Sequence, residues 1–437
     1  MKTATLRWSR ILLPVLALAI PWDAQALQPL EAFVRSARQR SPDNAEARAN
    51  LAQQQAQADV ALGRVLPGIS AKGNYIRNQY QSEVSFALVP TAPPQIIILT
   101  PRNLWTGSAT LTVPLVDLAA FARVAAARTG AEASAQQAQA TVLQVESQVV
   151  QDYFQLLANL SLVLSSERAL EVAKASRQLT QAQFEAGTST GLDVQRAIAE
   201  VERQTQLLES AKLQVALASR NLESASGLAP ESLSPVSLDD DLHEEADLET
   251  FSPPDADLPS VAAAMKNRKS AEQQALAQRL TFVPAVSGSF VESATSAPGF
   301  VGHNYVWQAG VGATWQLDLT SFANVRSQDA AADAARAREQ RARLSARDAI
   351  YRYWNTVHSD IAGSRSARAQ AKASQQASRM AQDRYEVGAS THLELLQAQR
   401  DAYSADVARI QSDADLANAR TQLRLAAGRD IFADRSK

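Results

Sequence analysis

Two periodicities alternate along the chain. From Leu104 to Val116, the residues Trp105, Gly107, Ala109, Leu111, Val113 and Leu115 alternate with Thr106, Ser108, Thr110 and Thr112. From Asn304 to Leu319, Tyr305, Trp307, Ala309, Val311, Ala313, Trp315 and Leu317 alternate with Asn304, Gln308, Thr314 and Gln316. Period two over this length predicts a strand with one apolar and one polar face. A less regular strand precedes each, Ile69–Tyr75 and Val286–Phe290. The connections, about 88–102 and 294–303, hold Pro and Gly and read as loops, the first carrying the apolar run Ile96-Ile97-Ile98-Leu99. Elsewhere the pattern is helical. No proline falls between Pro114 and Pro230 or after Pro298, and these tracts are rich in good helix formers. One long helix is predicted over about 118–186, broken only by Gly130, and another over about 322–386, interrupted only by Gly363. At ~1.5 Å per residue each is on the order of 100 Å long and needs coiled-coil neighbours. The returning tract supplies one: Val194, Val201, Leu208, Val215 and Leu222 recur every seven residues. Ala197, Gln204, Ala211, Ala218 and Ala225 follow three residues after each, an apolar seam with small companions. A weaker seam, Leu396, Tyr403, Ile410 and Ala417, has Asp406 and Asp413 among its companions. Both seams read as core packing.

The same text appears twice. Phe184-Glu185-Ala186-Gly187-Thr188-Ser189-Thr190-Gly191-Leu192-Asp193-Val194 returns as Tyr385-Glu386-Val387-Gly388-Ala389-Ser390-Thr391-His392-Leu393-Glu394-Leu395, an offset of 201 residues. That offset also maps Asp117-Leu118 onto Asp318-Leu319, Phe121-Ala122 onto Phe322-Ala323, Tyr153 onto Trp354, Ala197 onto Ala398 and Gly227 onto Gly428. A repeat this long and ungapped is a duplicated half-protein. The division is 27–228 for the first repeat, 229–257 for an inter-repeat linker and 258–437 for the second. The return helices read as 192–227 and 392–428 and the strand pairs as about 68–116 and 284–319. The helix before the strands reads from about Pro42 to Val65 in the first half and about ten residues shorter in the second.

Lys2, Arg7 and Arg10, the apolar run Ile11–Ile20 and the small-x-small site Ala24-Gln25-Ala26 form a signal peptide over 1–26. No later apolar stretch reaches the roughly 20 residues a membrane helix needs. The absence of cysteine excludes disulfides and cysteine metal sites, and a net charge of −2 gives no case for nucleic acid. No nucleophile constellation or phosphate-binding loop appears, so no enzyme, cofactor or metal site is expected. The acidic run Asp239-Asp240-Asp241 to Glu249, with His243, reads as a solvated linker beside Pro235 and Pro253-Pro254. His303, His358 and His392 lack metal-ligand spacing, although His392 near the turn is a candidate for pH sensitivity. The alternating strands fit a soluble sandwich or a lipid-facing barrel with aromatics at its ends; an export signal without a membrane helix favours the barrel. Four strands cannot close in lipid. Three chains give twelve strands, whereas two would give eight, barely wide enough for side chains.

Two copies of strand, strand, long helix, glycine turn and returning helix resemble the TolC-like outer-membrane efflux proteins over essentially the whole mature chain. The turn Tyr385-Glu386-Val387-Gly388 and the helix-to-strand junctions Leu66-Pro67 and Val283-Pro284 carry the likeness. The resemblance implies an α+β membrane protein: a homotrimer with a twelve-stranded barrel in the outer membrane, four strands per chain, continued by a periplasmic α-helical tunnel. Its implied partners are a periplasmic adaptor, an inner-membrane pump or ABC exporter, and outer-membrane lipid. It implies that the turns Gly187-Thr188-Ser189-Thr190 and Gly388-Ala389-Ser390-Thr391 are adaptor-docking tips. Glu394 would project into the entrance as an acidic ring, with Gln397 where a second carboxylate often stands. Asp193 and Tyr385 would link neighbouring helices at the closed entrance, although the basic residue that usually completes the link is replaced by Ser390. Asp193 and Glu394 also read simply as acids suited to helix starts behind Thr190 and Thr391. A soluble periplasmic coiled-coil adaptor or scaffold is the alternative; an adaptor has one helical hairpin, whereas two are predicted here.

Overall fold

The computed structural model describes residues 27–86, 95–234, 238, 240–429 and 431–432. The expected signal peptide over 1–26, with Pro235 and Asp239 of the linker, lies outside these residues. Two short helices, α1 (Leu30–Arg40) and α2 (Pro42–Gly63), lead into strand β1 (Gly68–Arg77). A hairpin of β2 (Ser82–Phe86) and β3 (Gln95–Thr100) follows, then β4 (Asn103–Val116), the long helix α3 (Leu118–Glu185) and α4 (Gly191–Ser226). The second half repeats the plan: α5 (Pro259–Arg279), β5 (Ala285–Thr295), β6 (Tyr305–Thr314), α6 (Leu319–Glu386) and α7 (His392–Ala426).

The duplication is written into the helix ends. Asp117 and Asp318 cap α3 and α6, accepting from the amides of Ala120 at 2.8 Å and Ser321 at 2.6 Å. Both helices are 68 residues long. Thr190 and Thr391 cap α4 and α7. Each of these oxygens satisfies an amide that the first helical turn leaves without a partner.

All pairings in the main sheet are antiparallel, in the order β1-β4-β5-β6. Directly opposed residues share a face, so the register sorts the sheet chemically. One face carries the rungs Ile69–Leu111–Phe290–Ala309 and Tyr75–Trp105. The other carries Asn74–Thr106–Thr295 and Gly68–Thr112–Ser289–Gly310. Glu292 breaks the apolar face, standing between Ala109 and Trp307. Tyr75, Trp105, Tyr305 and Trp307 cluster where the strands meet the loops, and Trp315 and the Phe282–Phe322 pair (4.9 Å) lie where the strands meet the helices. Two aromatic levels bracketing an apolar face match a lipid-facing wall. β1 and β6 are the sheet's edges, and nothing in the described chain pairs their outer sides.

Three expectations need correction. The stretch 88–102 is not wholly loop: β3 contains Ile96–Leu99 and pairs with β2 in a separate two-stranded sheet, while 88–94 lies outside the described residues. Alternating Ile96 and Ile98 with more buried neighbours gave a strand pattern too short to read beside Pro93 and Pro94. The pre-strand helix of the second half is not shortened: α5 has 21 residues against 22 for α2. Its mixed charges obscured a periodicity that packing on α3 and α6 supplies. Finally, the acidic linker is solvated only in part: Asp241, His243, Glu244, Asp247 and Glu249 are exposed, but Asp240 and Glu245 are docked. Arg420 of α7, its side chain 5% exposed, contacts Glu245 at 2.6 Å and Asp240 at 3.0 Å and donates to the His243 carbonyl at 2.6 Å. Asp240, Asp241 and His243 could share a cation by distance, but Arg420 already supplies the positive charge there.

The helices form a row. In the half near the tips, α4 packs on α3, α3 on α7, and α7 on α6; in the half near the sheet, α2 packs on α3, α3 on α5 and α5 on α6. Two apolar cores hold the middle: one joins α1 to α3 around Phe33, Val149 and Leu156, the other joins α6 to α7 around Val357, Leu416 and Leu423.

Candidate gate and docking tips

The end of each hairpin distal to the sheet is a glycine turn. Gly187 and Gly388 have φ of +77° and +74°. A side chain there would meet the left-handed penalty of roughly 1–2 kcal/mol, which glycine avoids. The first turn closes when the Thr188 amide donates to the Gln183 carbonyl at 2.8 Å; the second, when the Ala389 amide donates to the Arg384 carbonyl at 2.7 Å. Thr188 and Ala389 are thus placed alike, but only Thr188 adds a hydroxyl bond to Gln183, at 3.0 Å. Gly187, Thr188, Gly388 and Ala389 are exposed, Ser189 is half-buried, and Thr190, Ser390 and Thr391 start or flank the returning helices.

The acids behave differently. Glu394 is exposed and completes a capping box: its carboxylate accepts from the Thr391 amide at 3.3 Å while the Thr391 hydroxyl accepts from the Glu394 amide at 3.3 Å. Gln397 is exposed one turn further on the same helix. Asp193 accepts a 2.6 Å bond from the Thr190 hydroxyl and lies 3.5 Å from Arg196. The Thr190 hydroxyl, opposed by burial, holds the Asp193 carboxyl below its usual range.

Tyr385 does not reach Asp193 in this arrangement: no hydrogen bond joins them among the described residues. Its ring is buried (5% exposed) and its hydroxyl bonds Thr180 of α3 at 3.1 Å. The Thr180 hydroxyl donates to the Ser176 carbonyl at 2.9 Å, so its lone pairs face Tyr385 and, at 3.3 Å, His392 Nδ1. Both partners must then donate, which places the neutral imidazole proton on Nδ1. Nε2 is buried with no partner among the described residues. Burial pushes the His392 pKa down from its usual value, with Asp193 opposing and Arg196 assisting. The exchange of Gly191 for His392 between the two copies thus builds a buried polar triad into one inter-hairpin contact only.

A second inter-hairpin link went unread in the sequence. Glu200 of α4, with its side chain 3% exposed, accepts from Arg400 of α7 at 2.8 Å and from Arg203 at 2.6 Å. Although burial opposes it, bonds from Arg203, Arg400 and Gln204 lower the Glu200 pKa. The i,i+3 spacing of Glu200 and Arg203 was a local signal; the partner 200 residues away was not. Ser165–Asp406 at 2.6 Å and Ser166–Tyr403 at 3.0 Å extend this polar contact along α7. These pairs give the Asp406 companion position of the weaker seam its role.

An edge-open sheet with an apolar outer face, set above two long helical hairpins, defines a membrane-embedded duct wall built from several copies. A family model for outer membrane efflux proteins matches residues 33–228 and 256–429, and the chain belongs to that family. The two matched segments fall on the two copies of the repeat. Among solved structures, the outer-membrane channel OprN aligns with a TM-score of 0.78 and 21% identity over 92% of this chain and 90% of that one. The Campylobacter jejuni CmeC outer membrane channel aligns with a TM-score of 0.75 and 17% identity over 100% and 96%. The open state of the Neisseria gonorrhoeae MtrE outer membrane channel aligns with a TM-score of 0.72 and 20% identity over 93% and 91%. No curated protein matches the chain. The protein is an outer-membrane efflux channel with a periplasmic helical extension, its sheet one share of a barrel and its helices one share of a tunnel. The soluble adaptor reading is set aside.

Proposed function

We propose that three copies of this chain form the exit duct of an assembly that also contains a periplasmic adaptor and an inner-membrane pump or ABC exporter, with outer-membrane lipid around the barrel. The unpaired outer sides of β1 and β6 carry the reading, because lipid tolerates no open sheet edge and three four-stranded sheets complete a twelve-stranded wall. The turns Gly187-Thr188-Ser189-Thr190 and Gly388-Ala389-Ser390-Thr391 are the surfaces that meet the adaptor. Glu394 forms an acidic ring at the entrance, one ring deep because Gln397 is neutral, and so binds cations weakly. Asp193 and Tyr385 belong to the closed entrance through their own partners, Thr190 and Thr180, rather than through each other.

The test is single-channel recording in planar bilayers. Glu394→Ala is expected to raise conductance or lessen block by divalent or trivalent cations. Unchanged conductance and unchanged block would remove Glu394 from the gate. Because Glu394 also caps α7, Glu394→Gln is the control: it keeps a side chain able to complete the capping box and is expected to reproduce the loss of cation block.

A further inference from the structure

The row of helices near the tips begins with α4 and ends with α6. The sheet's edges fall on the same two sides: β1 follows α2, which flanks α3 above α4, and β6 leads into α6. A ring closed by copies of this chain therefore joins α6 of one protomer to α4 of the next, directly below the β6–β1 junction. The faces left open on these helices are chemically opposite. On α4, Glu202 and Glu209 are exposed one heptad apart. On α6, Arg365, Lys372 and Arg379 are exposed at the same spacing, so each set forms one stripe with steps of about 10.5 Å. Glu202, Arg365, Lys372 and Arg379 make no ion pair among the described residues, and Glu209 has only Lys212 on its own helix, at 2.8 Å.

The stripes are also in register. Counted from Gly187, Glu202 and Glu209 stand 15 and 22 residues up α4; counted from Gly388, Lys372 and Arg365 stand 16 and 23 residues up α6. α3 and α6 are equally long, so the two tips are level. Steric features agree: Leu213 and Leu217 project from α4, 56% and 50% exposed, and α6 presents the exposed Gly363, whose missing Cβ would meet nothing within 4 Å. A glycine inside an exposed helix costs about 1 kcal/mol unless something must approach closely.

We propose that α4 of one protomer seats against α6 of its neighbour through this acidic-to-basic seam, with Leu213 received at Gly363. The seam rests on the ring closure proposed above and adds its specificity. Joining α4 to α4 would set acid against acid and α6 to α6 base against base, so the charges enforce the head-to-tail contact that closes a ring. Individually these surface pairs contribute little affinity; their value is choice of partner and register.

The cysteine-free chain makes the test direct. Full-length protein carrying Glu209→Cys and Lys372→Cys, purified as an oligomer in detergent, is treated with a short bis-maleimide and run on a denaturing gel. Covalent dimers and trimers from the double variant, absent from each single variant, are expected. Intact oligomers that run only as monomers after treatment, or as an internally looped monomer, would overturn the seam while leaving the ring standing. A wild-type protein that is monomeric in detergent would overturn the ring itself. As a second measurement, Glu202→Lys with Glu209→Lys is expected to abolish the heat-resistant trimer, and adding Arg365→Glu with Lys372→Glu to restore it. A failure of rescue in protein whose helical content is unchanged also overturns the seam.

Discussion

At the scale of single residues, the gate candidates divide by burial. Glu394 and Gln397 are exposed and free to face an entrance, whereas Tyr385 and His392 are sealed against Thr180, which is 0% exposed. His392 therefore makes a pH prediction with a definite sign. Burial lowers its pKa in the closed contact, so the folded tip resists the proton that an opened tip accepts near the usual value of 6.5. Above that value the ring is neutral in both states and costs nothing. As pH falls through and below it, proton uptake favours opening. The protection factors of amides around Thr180 and His392, each exchange rate being taken relative to the intrinsic rate at the same pH, are expected to fall between about pH 7.5 and about pH 5.5, and His392→Gln to flatten that dependence. An equal fall in protection in the variant would assign the effect elsewhere.

At the scale of elements, the separateness of the β2–β3 hairpin has a consequence. It forms its own sheet, and its base is closed by the Asn78 amide donating to the Arg102 carbonyl at 2.7 Å. Replacing residues 80–100 by a two-residue turn is expected to leave a heat-modifiable trimer and its conductance intact. Loss of the trimer would show that the hairpin supports the barrel. Much of the fold was legible because its signals are local. The alternation from Trp105 to Leu115 needed only a two-residue period. The helix ends needed only Asp117, Gly187, Thr190 and their copies. What could not be read were contacts whose partners lie far along the chain: Arg420 with Glu245, Arg400 with Glu200, and Thr180 with Tyr385 and His392. In the sequence, Glu245 is one acid among many; only α7 folding back beside the linker selects it. The candidate site was legible as two turns and a list of acids, and the pairing of those groups was not.

At the scale of the whole molecule, the two copies are interleaved rather than adjacent. β4 of the first half pairs with β5 of the second, and α3 packs on α5 and α7. Neither half can bury its own sheet edge or helix row. Exported separately, residues 27–228 and 229–437 are each expected to remain unassembled, and together to form a heat-modifiable complex, checked by migration of boiled and unboiled samples. A barrel from either fragment alone would contradict this.

The same β4–β5 junction also has a meaning in time. Thr106 pairs with Thr295, so almost two hundred residues must cross the inner membrane after β4 before its partner arrives. During that interval the β1–β4 ribbon, with an apolar face and a bare hydrogen-bonding edge, travels through water. The duct's assembly thus begins with a waiting period set by chain length, in which the first half must be shielded until the second completes it.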